Sequence, residues 1–121
     1  MTMPAPGTWF VAFLITLAVE APIVLAMTRG SELGAARRFA FIVFAQLATH
    51  PLVWFVFPRM AGLTGGTALA LSETWAWLAE AALYALAFRG MSVTRALAVS
   101  AVANGASVLA GAGLTRAGIV L

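Results

Sequence analysis

Four stretches of this chain, Trp9–Thr28, Phe39–Phe57, Ala68–Phe88 and Val93–Gly113, are apolar almost throughout. Each is long enough to cross a hydrocarbon core of about 30 Å, for which about 20 helical residues suffice. Lipid offers backbone groups no hydrogen-bond partner, and four segments cannot close a barrel, so the stretches must be helices. The mean hydropathy of +1.00, with 9% charged residues, separates the chain from soluble domains, where roughly a quarter of residues are charged. The expected fold is an all-α integral membrane protein with four transmembrane helices, forming a single membrane domain over residues 1–121.

A second pattern subdivides that bundle. The sequence EAPIVLAMTRG, from Glu20 to Gly30, returns as EAALYALAFRG, from Glu80 to Gly90. Past each closing loop, Arg37 is followed by Gln46 and Thr49, and Arg95 by Asn104 and Ser107. Both halves thus run Glu, Arg, Arg, carboxamide, hydroxyl, with loops that differ by two residues. Alanines match cheaply, but scarce polar residues in matching order do not. The pattern predicts an internal duplication of a helical hairpin, with repeat 1 at about residues 9–57 and repeat 2 at about 68–113. Two hairpins in the same orientation would be related by an axis along the membrane normal. His50 departs from that symmetry, because its counterpart is Val108.

Charge narrows the function classes. All seven basic residues are arginines at the ends of apolar segments, so the sequence pI of 11.2 does not imply nucleic acid. Cysteine, lysine and aspartate are absent, which removes disulfides, thiolate metal sites and cysteine nucleophiles. The N-terminal MTMPAPGTWF has no charged head, and the apolar run behind it exceeds a signal-peptide core, so it is expected to be a permanent span. Arg29, Arg37, Arg38, Arg89 and Arg95 fall on one side, against Arg59 and Arg116 on the other. The positive-inside tendency then puts both termini outside the cytoplasm, in a bacterial inner membrane. Trp9 and Trp54 fit as anchors at the outer interface.

Helical rise turns spacing into depth. Glu20, Gln46, Glu80 and Asn104 each stand nine residues from an arginine, or ~13.5 Å along the axis. One strongly polar side chain from each helix therefore meets in one layer near the bilayer centre, with His50 and Thr16 one turn further out. Gln46, Thr49 and His50 share a stripe, as do Glu73, Trp77, Glu80 and Tyr84, and Ser100, Asn104 and Ser107. Ala103, Ser107 and Gly111 form a small-residue ridge that permits close helix approach. Pro22 and Pro51 free the carbonyls of Ala18 and Leu47 close to this layer.

The layer has two readings. Intramembrane ionisable groups mark transport routes, so Glu20 and Glu80 would exchange protons or bind a cation, with Gln46, Asn104 and His50 as polar lining. Thr16, Thr49, Glu73, Tyr84, Ser100 and Ser107 would support them, Glu73 from the outer mouth, and Tyr84 and Ser100 through simple interhelical hydrogen bonds. Alternatively, the glutamates clasp the neighbouring carboxamides and hold together a non-catalytic subunit or assembly factor of a larger complex. A membrane-embedded enzyme or cofactor binder ranks third. No catalytic motif is visible, and no cofactor or metal is predicted. A lone histidine completes no familiar site, and the Glu-x-x-His pairs of a di-iron bundle are absent. Beyond lipid, the expected partner is a second copy of the chain or a larger membrane complex, because four helices leave little room for a pore.

Chain length, four helices, and Glu20 followed by Arg29 resemble the small multidrug-resistance transporters. That resemblance covers the first helix alone. The family carries no matching acidic and carboxamide set in its other helices and no tandem repeat, so no membership follows.

Overall fold

The computed structural model describes residues 5–60 and 62–119, and all regular structure among them is helical. Helix α1 spans Pro6–Met27, α2 Ala35–Pro51, α3 Gly65–Ala87 and α4 Val93–Arg116. Beyond Pro51 the second helix continues as a π-helical turn, Leu52–Val56, and a 3-10 turn, Phe57–Arg59. Three of the four helical stretches, Pro6–Met27, Ala35–Arg59 and Val93–Arg116, are long and apolar enough to cross a membrane. Helix α3 matches them in length with 23 residues. Ser72, Glu73, Thr74 and Glu80 dilute its apolar character.

The ends of these helices have local causes. Pro6 sits in the first turn of α1, where a missing N–H costs nothing. Helix α2 begins four residues before the expected Phe39, because Ala35, Ala36, Arg37 and Arg38 are strong helix formers. The Ser92 hydroxyl caps α4 by accepting from the Arg95 N–H at 3.1 Å. Gly90 takes φ +79°, the left-handed turn that lets the chain double back from α3 into α4.

Helix α1 ends with orphan carbonyls, and two arginines from other helices close them. Arg38 Nη1 donates to Leu25 O at 2.8 Å and to Thr28 Oγ1 at 3.0 Å, while its Nε reaches Leu33 O at 3.2 Å. Arg95 Nη2 donates to Met27 O at 2.7 Å. Of the arginines that set the charge bias, Arg38 thus closes the first connection on itself, and Arg95 ties the start of α4 to the end of α1.

Each helix packs on its neighbours in sequence, and α4 returns to α1, so the four form a closed ring. Toward the arginine end the interior is apolar, built from Ala21, Val24, Ile42, Ala45, Ala81, Tyr84, Phe88, Ala96, Val99 and Ala103. These follow the i, i+3, i+4 spacing of one helical face. Small residues at Ala45, Ala81, Ala96 and Ala103 let the backbones approach, and Ala103 places its end of the small-residue ridge inside the bundle. The outer surface is also apolar, with Leu86, Leu109, Val93 and Phe44 among its most exposed side chains.

Candidate functional site

Above that apolar floor the interior turns polar. Glu20, Gln46, Thr49 and Glu80 are almost completely buried, and Asn104 and His50 are only 7% and 8% exposed. Burying such groups without partners would be costly, and most of them have partners. Gln46 donates its amide N–H to Glu20 across the α1–α2 contact. Asn104 donates to Glu80 Oε2 at 2.8 Å across the α3–α4 contact, and to Ser100 O and Ser100 Oγ at 3.0 and 3.2 Å. Thr49 reaches from α2 to Glu80 Oε1 at 2.8 Å. Ser107, which occupies the matching place on α4, instead turns its hydroxyl back to Asn104 O at 3.0 Å.

Proton counting makes the Glu80 contacts informative. Thr49 has one hydroxyl proton but two acceptors in reach, Glu80 Oε1 and Ala45 O at 3.0 Å. With Glu80 neutral, its own O–H donates to Thr49 Oγ1 and Thr49 donates to Ala45 O, so every proton has one acceptor. With Glu80 ionised, the Thr49 proton turns to Glu80. Both states fit the same heavy-atom positions.

The polar groups do not close completely on one another. They line a cavity of ≈ 120 Å³ whose wall includes Thr16, Glu20, Gln46, Thr49, His50, Glu73, Glu80, Asn104 and Ser107. Liquid water occupies about 30 Å³ per molecule, so the space suits a few waters or a small hydrated ion. Val53, Trp54, Ala76 and Val108 complete the wall. Among the described residues, no three of His, Cys, Asp or Glu gather closely enough to hold a metal ion.

No family model, curated protein or solved structure matches this chain.

Tyr84 and Ser100 stand apart from the cavity. Ser100 Oγ donates to Trp77 O at 2.8 Å, tying α4 to α3. Tyr84 makes no interhelical hydrogen bond: its hydroxyl is buried and unpartnered among the described residues. Nor does a glutamate or His50 side chain donate to Ala18 O or Leu47 O there. Pro51 instead ends the α-helical ladder, after which Phe57 N–H pairs with Leu52 O in the π-helical turn.

His50 is packed more tightly than its spacing suggests. Its ring stacks on Trp54 at 6.0 Å between centroids and meets Phe13 edge-on at 5.7 Å, with Trp9 at 6.1 Å. Nε2 lies 3.4 Å from Thr16 Oγ1, a long contact, and Nδ1 has no partner. Trp9 and Trp54, read from sequence as interface anchors, thus enclose the histidine. The signal was present in Trp9, Phe13, Thr16 and Glu20, whose spacing of four, three and four residues marks one face of α1.

Proposed function

We propose that this chain is a small integral membrane protein that moves protons or cations across the bilayer, with Glu20 and Glu80 as the responsive groups. The carrying observation is the cavity: nine polar side chains from all four helices surround open space, three of them glutamates, with no arginine in the wall. A purely structural clasp has no use for that space. The two protonation patterns open to Glu80 and Thr49 without heavy-atom movement support proton exchange at this point.

Membrane insertion is favoured by the apolar exterior and by the three helices long enough to span. Helix α3 would cross with its polar residues turned inward, as intramembrane polar groups do. A tandem repeat is supported by paired contacts: Glu20 with Gln46, and Glu80 with Asn104. With the arginine end in the cytoplasm, both termini lie outside. The cavity is too small for a continuous pore, which points to a homo-oligomer or a larger complex as the working unit.

A second reading, a non-catalytic subunit clasped by its polar layer, draws on the hydrogen bonds that satisfy both glutamates. Flux measurements separate the two. Purified protein in liposomes, with a pH-sensitive or cation-sensitive dye inside, should pass protons or sodium under an imposed potential. Glu20→Gln and Glu80→Gln keep the clasp and should stop the flux. Impermeable wild-type protein would overturn transport in favour of the clasp, and undiminished flux in the double variant would remove Glu20 and Glu80 as the responsive groups.

A further inference from the structure

The polar cavity does not end inside the bundle. Glu73, Asn104 and Val108 belong both to its wall and to a groove of ≈ 570 Å³ on the outer surface between α3 and α4. That volume lies within the range of about 300–1,000 Å³ typical of small-molecule sites. Below the groove the two helices are locked together, because Trp77 Nε1 donates to Leu97 O at 2.9 Å and Ser100 Oγ to Trp77 O at 2.8 Å. The lock fixes the Trp77 indole as one wall. Ala101, Gly105 and Leu109 line α4 opposite it, over eight residues or ~12 Å of helix.

The groove is largely apolar, with one carboxylate, Glu73, in its wall. Glu73, half-buried, accepts no hydrogen bond among the described residues. The neighbouring hydroxyls of Ser72 and Thr74 turn back to Ala68 O and Ala70 O at 2.6 and 2.7 Å. Asn104 spends its side-chain N–H groups on Glu80 and Ser100, and its backbone carbonyl accepts from Ser107, which leaves its side-chain Oδ1 as a second free acceptor among the described residues. No arginine lines the groove. Two acceptors without donors, beside an aromatic face, suit a cationic N–H group, and the apolar trough suits a chain attached to it.

We infer that the α3–α4 groove binds a single-chain amphiphile with an ammonium head, taken laterally from the surrounding lipid. The head sits at Glu73 and Asn104, at the threshold of the cavity, and the chain lies along Trp77, Gly105 and Ala101. This inference rests on the transport reading for its purpose, and names the class of cation that would reach the site from the membrane.

The test uses the full chain in lipid nanodiscs, titrated with dodecylamine and, as controls, with dodecanoate and dodecanol. Wild-type protein should bind the amine saturably and neither control. A Cβ at Gly105 meets nothing within 4 Å, so Gly105→Trp fills the groove without pressing on the bundle. Both Gly105→Trp and Glu73→Gln should bind at least about tenfold more weakly, with unchanged helicity and thermal unfolding. Amine that partitions without saturation, or that binds Gly105→Trp as it binds wild type, overturns the inference. Ion flux measured without amine keeps the two proposals apart. Flux without saturable amine binding removes only the groove site, and saturable binding without flux removes only transport.

Discussion

Replacing Glu80 tests the proton count directly. In glutamine, Nε2–H donates to Thr49 Oγ1 as the neutral carboxyl does, Thr49 donates on to Ala45 O, and Oε1 accepts from Asn104. Every bond of the neutral state survives, so Glu80→Gln should change stability by less than about 0.6 kcal/mol, the average worth of one interhelical hydrogen bond in a membrane protein. Glu80→Leu keeps much of the volume but removes the contacts to Thr49 and Asn104, at 2.8 Å each. At about 0.6–1.7 kcal/mol per bond, that variant should lose about 1–3 kcal/mol. Reversible unfolding in bicelles, followed by tryptophan emission, measures both. If glutamine costs as much as leucine, the carboxylate is accepting charge-assisted bonds, which are roughly twice as strong as neutral ones. The neutral network would then be wrong.

Arg38→Ala should destabilise the bundle by about 1.5–3 kcal/mol, the range for hydrogen bonds to a charged group, and amide exchange should rise selectively across residues 25–34. Unchanged exchange there would show that Arg38 does not close α1. His50→Ala strips the cover from Trp9 and Trp54 and should cost about 1–3 kcal/mol in lost aromatic contacts. In a Trp75→Phe/Trp77→Phe background the emission of the two remaining tryptophans should move to the red, and an unmoved spectrum would refute the packing. Pro51→Ala restores an N–H opposite Leu47 O, so the new amide should be protected in hydrogen exchange and the π-helical turn should shift toward α geometry. An unprotected amide would mean that proline is not what ends the α-helical ladder.

The axial arrangement of the bundle was legible because helical rise per residue is nearly constant. Counting from Arg37 to Gln46, or from Arg95 to Asn104, fixes how far along its helix each polar group lies. The stripes then tell which face must be inward. The lone serine contacts were legible in outline too, since Ser100 does tie α4 to α3. Tyr84 was not. Its stripe put it inward, but no spacing rule reveals that it joins the apolar cluster of Val24, Ile42 and Val99 with its hydroxyl unpartnered among the described residues. The turn beyond Pro51 was equally hidden, because a proline removes one donor without dictating how the next carbonyls are served.

By itself, then, the sequence determined four helices, three of them apolar enough to cross a membrane, the arginine end, and a level at which Glu20, Gln46, Glu80 and Asn104 occur together. These depend on composition and on distance along one helix, quantities that local chain geometry sets. Only the tertiary structure decided that the four groups enclose a cavity and that Glu80 takes Thr49 from the other hairpin. It also decided that His50 is walled by aromatics and that Glu73 faces a groove open to the outside. Those features depend on the rotation and spacing of neighbouring helices, which arise from the packing of small and large side chains across every contact at once.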